Sequence, residues 1–362
     1  MKKHTANHRD GGLASPRRRA LAQGLGLAMV SAPFLGLAPR VARAADPVVM
    51  VSWGGNYQES IERFIAKPFI EETGIPVKII AGADLAKAKG QVKTGNVEWD
   101  IYDGGGAQIT AGETENLWEP LDTEIVKPRN LVVPVRSHSI PYYMYTGATG
   151  YVPSRLNGKP APQTFAQLWD IKEFPGRRGF RTRVAETFEM ALLADGVPAS
   201  KMYPLDFERA FAALERIKPH VTKWITQTPQ TISLLTNNEI DYSYTYTGRV
   251  LAARQSGLDV NITTGQSVLV NGYMAVLRGS KRRESAMKFL DFALRPQIQA
   301  DFVSSLAYLP NNRDAMPMMT KDKDVVALLP DLNSPNNVIV DDTWWASHFM
   351  DLDRRFKEWL AV

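Results

Sequence analysis

Apolar, β-branched runs alternate with segments of helical periodicity in the first part of the chain. Val48–Val51 is the first pattern typical of a buried strand, and apolar side chains recur at helical spacing over Tyr57–Glu72. This helix is expected to bend at Pro68. Two further strand patterns, Val77–Ile80 and Trp99–Tyr102, are each followed by a helical pattern. Strands that alternate with helices predict a parallel sheet with helices on both of its faces.

The pattern changes in the second part of the chain. A β-rich segment broken by proline and glycine covers 132–151, and a second α/β set then runs from Gly179 to Gln255. Within this set, a helix is predicted over Val184–Ala194, and Gly196 follows its end. Val268–Leu277 is another long β pattern, and an amphipathic helix is predicted over Asp341–Ala361. Between them, the polar segment Pro310–Lys323 is predicted to be a surface loop. Two α/β sets joined by β-rich segments predict two lobes with a hinge and a cleft between them. The predicted lobes are 45–139 with 268–315, and 140–267 with 316–362.

The first 44 residues have a character of their own. Arg17-Arg18-Arg19 precede the weakly apolar run Ala20–Ala38, and Ala42-Arg43-Ala44 offers small residues for cleavage. The pattern predicts a cleaved export signal of the twin-arginine type and a periplasmic protein, with an uncleaved membrane anchor as the alternative. Eight of the 43 Lys and Arg residues but only one of the 38 Asp and Glu residues lie in this segment. The remaining chain has a formal net charge of −2, which gives no support for nucleic-acid binding.

Signatures of enzymes and metal sites are scarce in the sequence. It contains no cysteine, which excludes disulfides, cysteine nucleophiles and thiolate ligands. It contains no G-x-S-x-G, H-E-x-x-H or Walker motif. We therefore predict a protein that is not an enzyme, with no catalytic residue, no cofactor and no metal centre. Two alternatives stay open: a transport protein that binds ferric iron through tyrosines, and an exported hydrolase or transferase on a two-lobed scaffold.

Aromatic and polar side chains fall at the predicted carboxyl ends of strands, where open α/β sheets bind small molecules. Trp53, Asn56 and Tyr57 follow the first strand, and Gly105 lies in a glycine turn that can bring backbone N–H groups close to a ligand. Further tyrosines cluster in two β patterns: Tyr142, Tyr143, Tyr145, Tyr242, Tyr244 and Tyr246. Such rings form the wall of an amine pocket through cation–π contacts, or they pack a sheet face against a helix.

Landmarks along nearly all of the chain after residue 44 resemble the periplasmic binding proteins of ABC importers, in particular the spermidine/putrescine-binding branch. They are VSWGGNYQESIERFIAKPFIEETG (51–74), GNVEWDI (95–101), IPYYMYTGATGYV (140–152), FEMALLADG (188–196), YTYTGRVLAARQSG (244–257), GYMAVLRGSKRRESAMKFLDFALRP (272–296), LAYLPN (306–311) and WWASHFMDLDRRFKEWL (344–360). The resemblance implies a two-lobed α/β fold of the type II periplasmic-binding-protein class, each lobe a mainly parallel sheet flanked by helices, joined by β-rich hinge crossovers. It also implies that the cleft holds a small ligand, chemically unchanged, for delivery to a membrane permease driven by an ATPase. We expect a monomer.

The resemblance also assigns ligand contacts to individual residues. The family's first-loop aromatic residue falls on Trp53, and its acidic residue at the start of a second-lobe helix falls on Glu186. Its strand-end aromatic residue falls on Tyr244 or Tyr246, and its tyrosine before a proline loop falls on Tyr308. These residues are candidates for the walls of a pocket that holds an amine-bearing solute.

Three departures from the family argue against spermidine as the solute. Arg183 replaces a family acid three residues before Glu186, and Arg249 replaces an acid that often follows the strand-end glycine. Asn271 is the only polar side chain where the family has a tryptophan and an acid for a distal amine. Like charges about 4 Å apart cost about 4 kcal/mol at an effective dielectric constant near 20, so a pocket arginine repels a polyamine.

These departures favour a zwitterionic solute over a purely polyamine-like one. Arg183 and Arg249 would hold a carboxylate or phosphonate, and Glu186 would hold an amine at the other end. The predicted ligand is therefore amino acid-like or aminophosphonate-like. In the alternative interpretation, Arg183 faces solvent or pairs with Glu186 inside the protein.

Overall fold

The structure is a computed structural model, and it describes residues 46–362. The strands of this part of the chain form one mixed sheet. They are β1 (Val48–Ser52), β2 (Val77–Ala81), β3 (Ile101–Gly105), β4 (Ser139–Tyr151), β5 (Arg178–Arg181), β6 (Val221–Ile225), β7 (Tyr242–Tyr246), β8 (Asn261–Ile262), β9 (Val268–Val276), β10 (Leu309–Pro310) and β11 (Val338–Ile339). The main path of the sheet runs β2-β1-β3-β9-β4-β7-β5-β6, and β8, β10 and β11 pair at its middle strands.

Helices flank this sheet and supply most of the apolar surface that covers it. They are α1 (Gly55–Ile61), α2 (Lys67–Thr73), α3 (Leu85–Thr94), α4 (Gly106–Thr114), α5 (Phe165–Trp169), α6 (Val184–Ala194), α7 (Phe207–Ile217), α8 (Gln230–Thr236), α9 (Thr247–Gln255), α10 (Arg283–Ala293), α11 (Pro296–Ser304), α12 (Lys323–Val326) and α13 (Asp342–Ala361). Short 3₁₀ turns lie at Pro153–Leu156, Ala199–Lys201, Lys218–His220 and Arg313–Met318.

Two parallel groups of strands lie on either side of an antiparallel centre. β1 pairs in parallel with β2 and β3, and β5 pairs in parallel with β6 and β7. Between these groups, β9 and β4 are antiparallel to each other and to their outer neighbours. The predicted alternation of strands and helices is therefore confirmed within each group, and the two long β patterns form the centre of the sheet.

Each parallel group has a hydrophobic core of its own. The core beside β1 and β3 includes Ile61, Phe69 and Phe302, all fully buried. The core beside β7 includes Phe188 of α6 and Trp345 of α13. We infer the two lobes from these two cores, and the residue boundaries given above for the lobes stay a prediction.

Three predicted segments differ from the structure for local reasons. The strand predicted at Trp99–Tyr102 runs on to Gly105, because the backbones of its glycines pair with β9. The surface loop predicted at Pro310–Lys323 instead contains a 3₁₀ turn that begins at Arg313. The bend predicted at Pro68 is a π-helical turn over Glu62–Ala66, just before proline removes a backbone donor.

No helix within residues 46–362 is long and apolar enough to cross a membrane. The predicted twin-arginine signal, 1–44, lies outside the described residues and stays a prediction.

Candidate functional site

The carboxyl ends of the two parallel groups of strands meet along β4. β3 ends at Gly105, which lies opposite Gly272 of β9, and Gly272 in turn pairs with Tyr143 of β4. β7 ends at Tyr246, which pairs with Gly147 of β4. The four-residue step from Tyr143 to Gly147 spans about 13 Å of extended strand. Side chains from both sets of strand ends therefore converge on an interval that matches the size of a small molecule.

On the β3 side of this interval, a buried carboxylate gathers three hydroxyl groups. Asp103 is fully buried and accepts hydrogen bonds from Ser52 Oγ at 2.7 Å, Tyr142 OH at 3.1 Å and Tyr57 OH at 3.2 Å. Tyr57 and Tyr142 also share a hydrogen bond between their hydroxyls. Burial raises the pKa of Asp103 to about 7, although these hydrogen bonds act to lower it. Asp103 therefore supports neighbouring tyrosines and offers no exposed oxygen to a ligand.

A β-bulge in β4 brings two consecutive tyrosines to the same side of the sheet. The register of β4 against β9 shifts between Pro141 and Tyr143. In a regular strand, Tyr142 and Tyr143 would point to opposite faces. Instead their rings lie 4.7 Å apart, with an angle of 78° between the planes. Tyr142 can thus reach Asp103 while Tyr143 stacks on Tyr308.

Five tyrosine rings connect the β3 side to the β7 side of the site. In order of contact, this tyrosine wall consists of Tyr143, Tyr308, Tyr145, Tyr246 and Tyr244. Its four successive centroid distances are 5.2, 6.4, 5.6 and 5.8 Å. Burial raises the pKa of all five phenols, so the wall is neutral and offers ring faces and hydroxyl groups to a solute.

The tyrosine wall ends at a buried carboxylate. Glu186 is only 2% exposed and accepts hydrogen bonds from Tyr244 OH at 3.1 Å and Tyr145 OH at 3.4 Å. Its Oε1 also lies 3.4 Å from Nη2 of Arg183, whose side chain is 48% exposed. The carboxylate raises the pKa of Arg183. The internal Arg183–Glu186 pair, which the sequence left as one alternative, is thus present.

The backbone of Glu186 is held in an unusual conformation. Its φ of 73° lies in the left-handed region, which costs a non-glycine residue roughly 1–3 kcal/mol. The N–H of Glu186 donates to Oε2 of Glu189 at 2.8 Å. Glu189 is fully buried and also accepts from Tyr203 OH at 2.5 Å and Trp345 Nε1 at 2.6 Å. Glu189 therefore fixes the turn that aims the Glu186 carboxylate at the tyrosine wall.

Two charged residues of the site were missed by the sequence analysis. Arg181 is the last residue of β5 and is 4% exposed, and its Nε and Nη1 have no hydrogen-bond partner within residues 46–362. Asp103 directly precedes the glycines of the turn predicted around Gly105. The available signals were an arginine inside a buried strand pattern, which is rare without a partner, and an acid at the carboxyl end of a parallel strand.

Three predicted contacts are exposed near this site. Trp53 follows β1 with 49% of its surface exposed, and Asn56 is exposed in the first turn of α1. Arg249 is exposed in α9, yet it lies close enough to Tyr308 to oppose the rise in the pKa of that phenol caused by burial. All three are therefore outside the buried network formed by Asp103, the tyrosine wall and Glu186.

Two other predicted contacts belong to the central strands. Gly105 pairs with Gly272, and a Cβ on Gly105 would have open space around it. Asn271 is buried and donates to Oδ2 of Asp342 at 3.4 Å. Because side chains alternate along β9, Asn271 lies on the face opposite Gly272, and a Cβ on Gly272 would meet the ring of Tyr143. Asn271 therefore points away from the face that carries the tyrosine wall.

Metal ligands are not grouped in the part of the chain that the structure describes. Among residues 46–362, no cluster of three or more His, Asp or Glu side chains is placed to hold a metal ion. The groups that this arrangement offers for recognition are aromatic rings, hydroxyl groups, one acid–arginine pair whose arginine is half exposed, and one further guanidinium.

Comparisons with known proteins agree with this description. The sequence model of the family described as bacterial extracellular solute-binding protein matches residues 65–327. The gamma-aminobutyric acid-binding protein of Pseudomonas aeruginosa is 30% identical over 339 residues, which cover 90% of this chain and 94% of the relative.

Two solved structures are similar in both fold and sequence. An ABC transporter substrate-binding protein from Bradyrhizobium japonicum USDA 110 is 32% identical with a TM-score of 0.80, over 86% of this chain and 98% of that one. The Atu4243-GABA receptor is 32% identical with a TM-score of 0.77, over 87% of this chain and 97% of that one.

These likenesses confirm the predicted family resemblance and the two-lobed α/β fold class. They give no support to the alternatives of an iron carrier or an exported hydrolase, since the matched family and the named relatives are solute-binding proteins. The chain belongs to the bacterial extracellular solute-binding protein family.

Proposed function

We propose that this protein captures a small acid that carries an amine and delivers it to the permease and ATPase of an ABC importer. Two similar proteins are named for gamma-aminobutyric acid, which is a linear ω-amino acid. The solute would lie where the strand ends meet along β4, between the two lobes. It would be bound and released without any chemical change.

The observation that carries this proposal is the position of Glu186 at the end of the tyrosine wall. A carboxylate that is 2% exposed and accepts from two tyrosine hydroxyls is held in a fixed place. An ammonium group there would form a charge-assisted hydrogen bond, worth roughly 1.5–3 kcal/mol. The neighbouring ring faces would add about 0.5–2 kcal/mol through cation–π contact.

The charges around the strand ends favour an amino acid over a diamine. Glu186 adjoins two rings of the tyrosine wall and the half-exposed Arg183, whereas Asp103 is fully buried and accepts from three hydroxyl donors. Two guanidinium groups, Arg181 and Arg183, lie at the end of β5 and just beyond it. A second ammonium group would lack a carboxylate and would face positive charge, at about 4 kcal/mol for a separation of about 4 Å.

The exposed candidates would join the site when the lobes close. Trp53 and Asn56 follow the carboxyl end of β1, and Arg249 lies beside Tyr308. Closure about the central strands would bring such groups onto a solute already held by Glu186. Gly105 and Asn271 complete the set of proposed contacts. The contribution of Asn271 would come from the backbone of β9, because its side chain points to the other face.

The cellular setting forms part of the same proposal. The twin-arginine signal over 1–44 would export the protein to the periplasm, where a monomer would circulate between solute and permease. A solute that is amino acid-like or aminophosphonate-like would meet the charge pattern described above.

Thermal unfolding and calorimetric titration with 4-aminobutyrate, an aminophosphonate of similar length, putrescine and butanoate test this function. A ligand at a hundredfold excess over its Kd stabilises the native state by about 2.7 kcal/mol. We expect 4-aminobutyrate or the aminophosphonate to raise Tm, with the ligand recovered unchanged by mass spectrometry. Tight binding of putrescine without binding of either acid would reject the proposal, and so would conversion of the ligand to a product.

A further inference from the structure

Three arginines within six residues of the chain have three different environments. Arg178 is 1% exposed, and its guanidinium donates to the carbonyl groups of Leu168, Phe174 and Gly176. Arg183 is half exposed and pairs with Glu186.

Arg181 lies between these two residues and differs from both. It is 4% exposed, and within the described chain neither its Nε nor its Nη1 has a hydrogen-bond acceptor.

A buried guanidinium without acceptors is unfavourable in the unliganded protein. Transfer of a charge from water into a protein interior costs several kcal/mol unless hydrogen bonds or an opposite charge compensate. Arg178 shows how this fold compensates a buried arginine, with one backbone carbonyl for each nitrogen. The same strand leaves two nitrogens of Arg181 without that compensation, so these nitrogens are available to an acceptor from outside the chain.

The position of Arg181 places these donors at the solute site. Arg181 ends β5, whose parallel neighbour β7 ends at Tyr246 of the tyrosine wall. Arg181 is close enough to Tyr246 to act against the rise in the pKa of its phenol that burial and Glu186 produce. The hydroxyl of Tyr246 is itself buried without a hydrogen-bond partner among residues 46–362. Donors without a partner among the described residues thus lie on two adjacent strand ends.

The other two candidate arginines are less suited to an anion. The charge of Arg183 is already balanced by Glu186 at 3.4 Å, and Arg249 is exposed to water on α9. An exposed or balanced guanidinium gains little from a further carboxylate, because it is already hydrated or paired. An unpaired and buried guanidinium gains most, since a planar carboxylate can accept from two of its nitrogens at once.

We propose that Arg181 is the anchor for the carboxylate or phosphonate of the solute. The inference rests on the proposed function, in which Glu186 holds the amine. The amine of the solute would then lie at Glu186 and its acid group at Arg181, at the end of β5. The site therefore selects a short linear zwitterion and discriminates against a monoamine or a diamine.

Calorimetry with full-length variants separates this role from a structural one. Arg181→Gln is expected to weaken binding of 4-aminobutyrate by about 10- to 100-fold while binding of butylamine, which lacks the carboxylate, stays within about threefold of the wild type. Arg181→Lys keeps the positive charge but loses the planar guanidinium that can donate to both carboxylate oxygens, so it should bind 4-aminobutyrate with intermediate affinity. The matched control Arg216→Gln changes an exposed arginine of α7 and should bind as the wild type does.

Thermal unfolding without ligand gives an independent test. Because Arg181 is buried without acceptors, Arg181→Met should raise the Tm of the unliganded protein, whereas loss of a structural arginine would lower it. Unchanged 4-aminobutyrate affinity in Arg181→Gln, an equal loss of butylamine, or a lower Tm in Arg181→Met would each overturn the inference. If the wild type binds neither compound, the proposed function fails, and the Tm of Arg181→Met alone decides whether this arginine is unpaired.

Discussion

Replacing Glu186 by glutamine removes one charge from the candidate site and leaves its shape almost unchanged. In the unliganded protein, the glutamine oxygen can still accept from Tyr244, and the hydroxyl of Tyr145 can reverse to accept from the new amide. The interaction lost is the pair with Arg183, and its side chain is 48% exposed. Because Glu186 is buried but Arg183 is half exposed and can be hydrated when the charge on residue 186 is removed, we expect the free energy of unfolding to change by about 1 kcal/mol or less.

Ligand binding should respond much more strongly than stability. The proposed hydrogen bond between the carboxylate and an ammonium group is worth roughly 1.5–3 kcal/mol. Since each 1.4 kcal/mol is a tenfold change in Kd, Glu186→Gln should weaken binding of 4-aminobutyrate by about 10- to 100-fold. A large loss of affinity with a small loss of stability is the signature of a residue that contacts the solute.

Titration calorimetry and urea unfolding on the same preparations measure both quantities. The matched control is Glu59→Gln, which makes the same change on the exposed surface of α1 and should alter neither. Equal affinity of Glu186→Gln and the wild type would show that the amine is held elsewhere. A loss of several kcal/mol in unfolding free energy would instead show that the Glu186 carboxylate is mainly structural.

Other parts of the molecule make further predictions. Trp53→Ala should weaken solute binding by about 3- to 30-fold with little change in Tm, because the ring is half exposed and available for cation–π contact in the closed state; an unchanged Kd by calorimetry would contradict this role. Gly272→Ala places a Cβ 2.0 Å from Cε1 of Tyr143, so it should lower the unfolding free energy measured in urea by about 1–3 kcal/mol. The control Gly90→Ala, on the exposed side of α3, should raise that free energy by about 0.5–1 kcal/mol, and equal effects of the two substitutions would reject the packing argument. Burial raises the pKa of Asp103 from 3.8 to about 7, so the folded state binds its proton more tightly and the stability from this group is lost as pH rises from about 4 to 7. Asp103→Asn should therefore flatten that part of the plot of urea midpoint against pH, and parallel plots for the variant and the wild type would refute the assignment.

The sequence predicted the helices and strands of this fold better than the side-chain contacts between them. The helix predicted at Val184–Ala194 has the observed limits, because its apolar periodicity is strong and Gly196 follows it. The pattern gave no sign that its first turn is distorted at Glu186, since that distortion depends on the buried Glu189, which comes from the next turn. Local sequence propensity predicts neither the hydrogen bond between Glu186 and Glu189 nor the backbone strain at Glu186 that this bond offsets.

The same distinction applies to the candidate site. Tyr244 and Glu186 were predicted from strand alternation and from family resemblance, and the structure joins them by a hydrogen bond of 3.1 Å. Arg181 was missed because an arginine in a buried strand pattern indicates some partner but does not show whether that partner belongs to the chain. Its importance depends on a lack of acceptors, which is a property of the surrounding space rather than of the segment.

The continuous pairing of β4 with β9 has a mechanical consequence. The two strands pair from Ser139 to Gly147, with one bulge between Pro141 and Tyr143, and this paired stretch crosses the interval where the strand ends of both lobes meet. A change in the angle between the lobes must therefore twist this ribbon elastically, since no flexible loop is available there to absorb the rotation. Amide protons along the ribbon should consequently exchange equally slowly with solvent in the empty and the loaded protein, even while the lobes reorient around them.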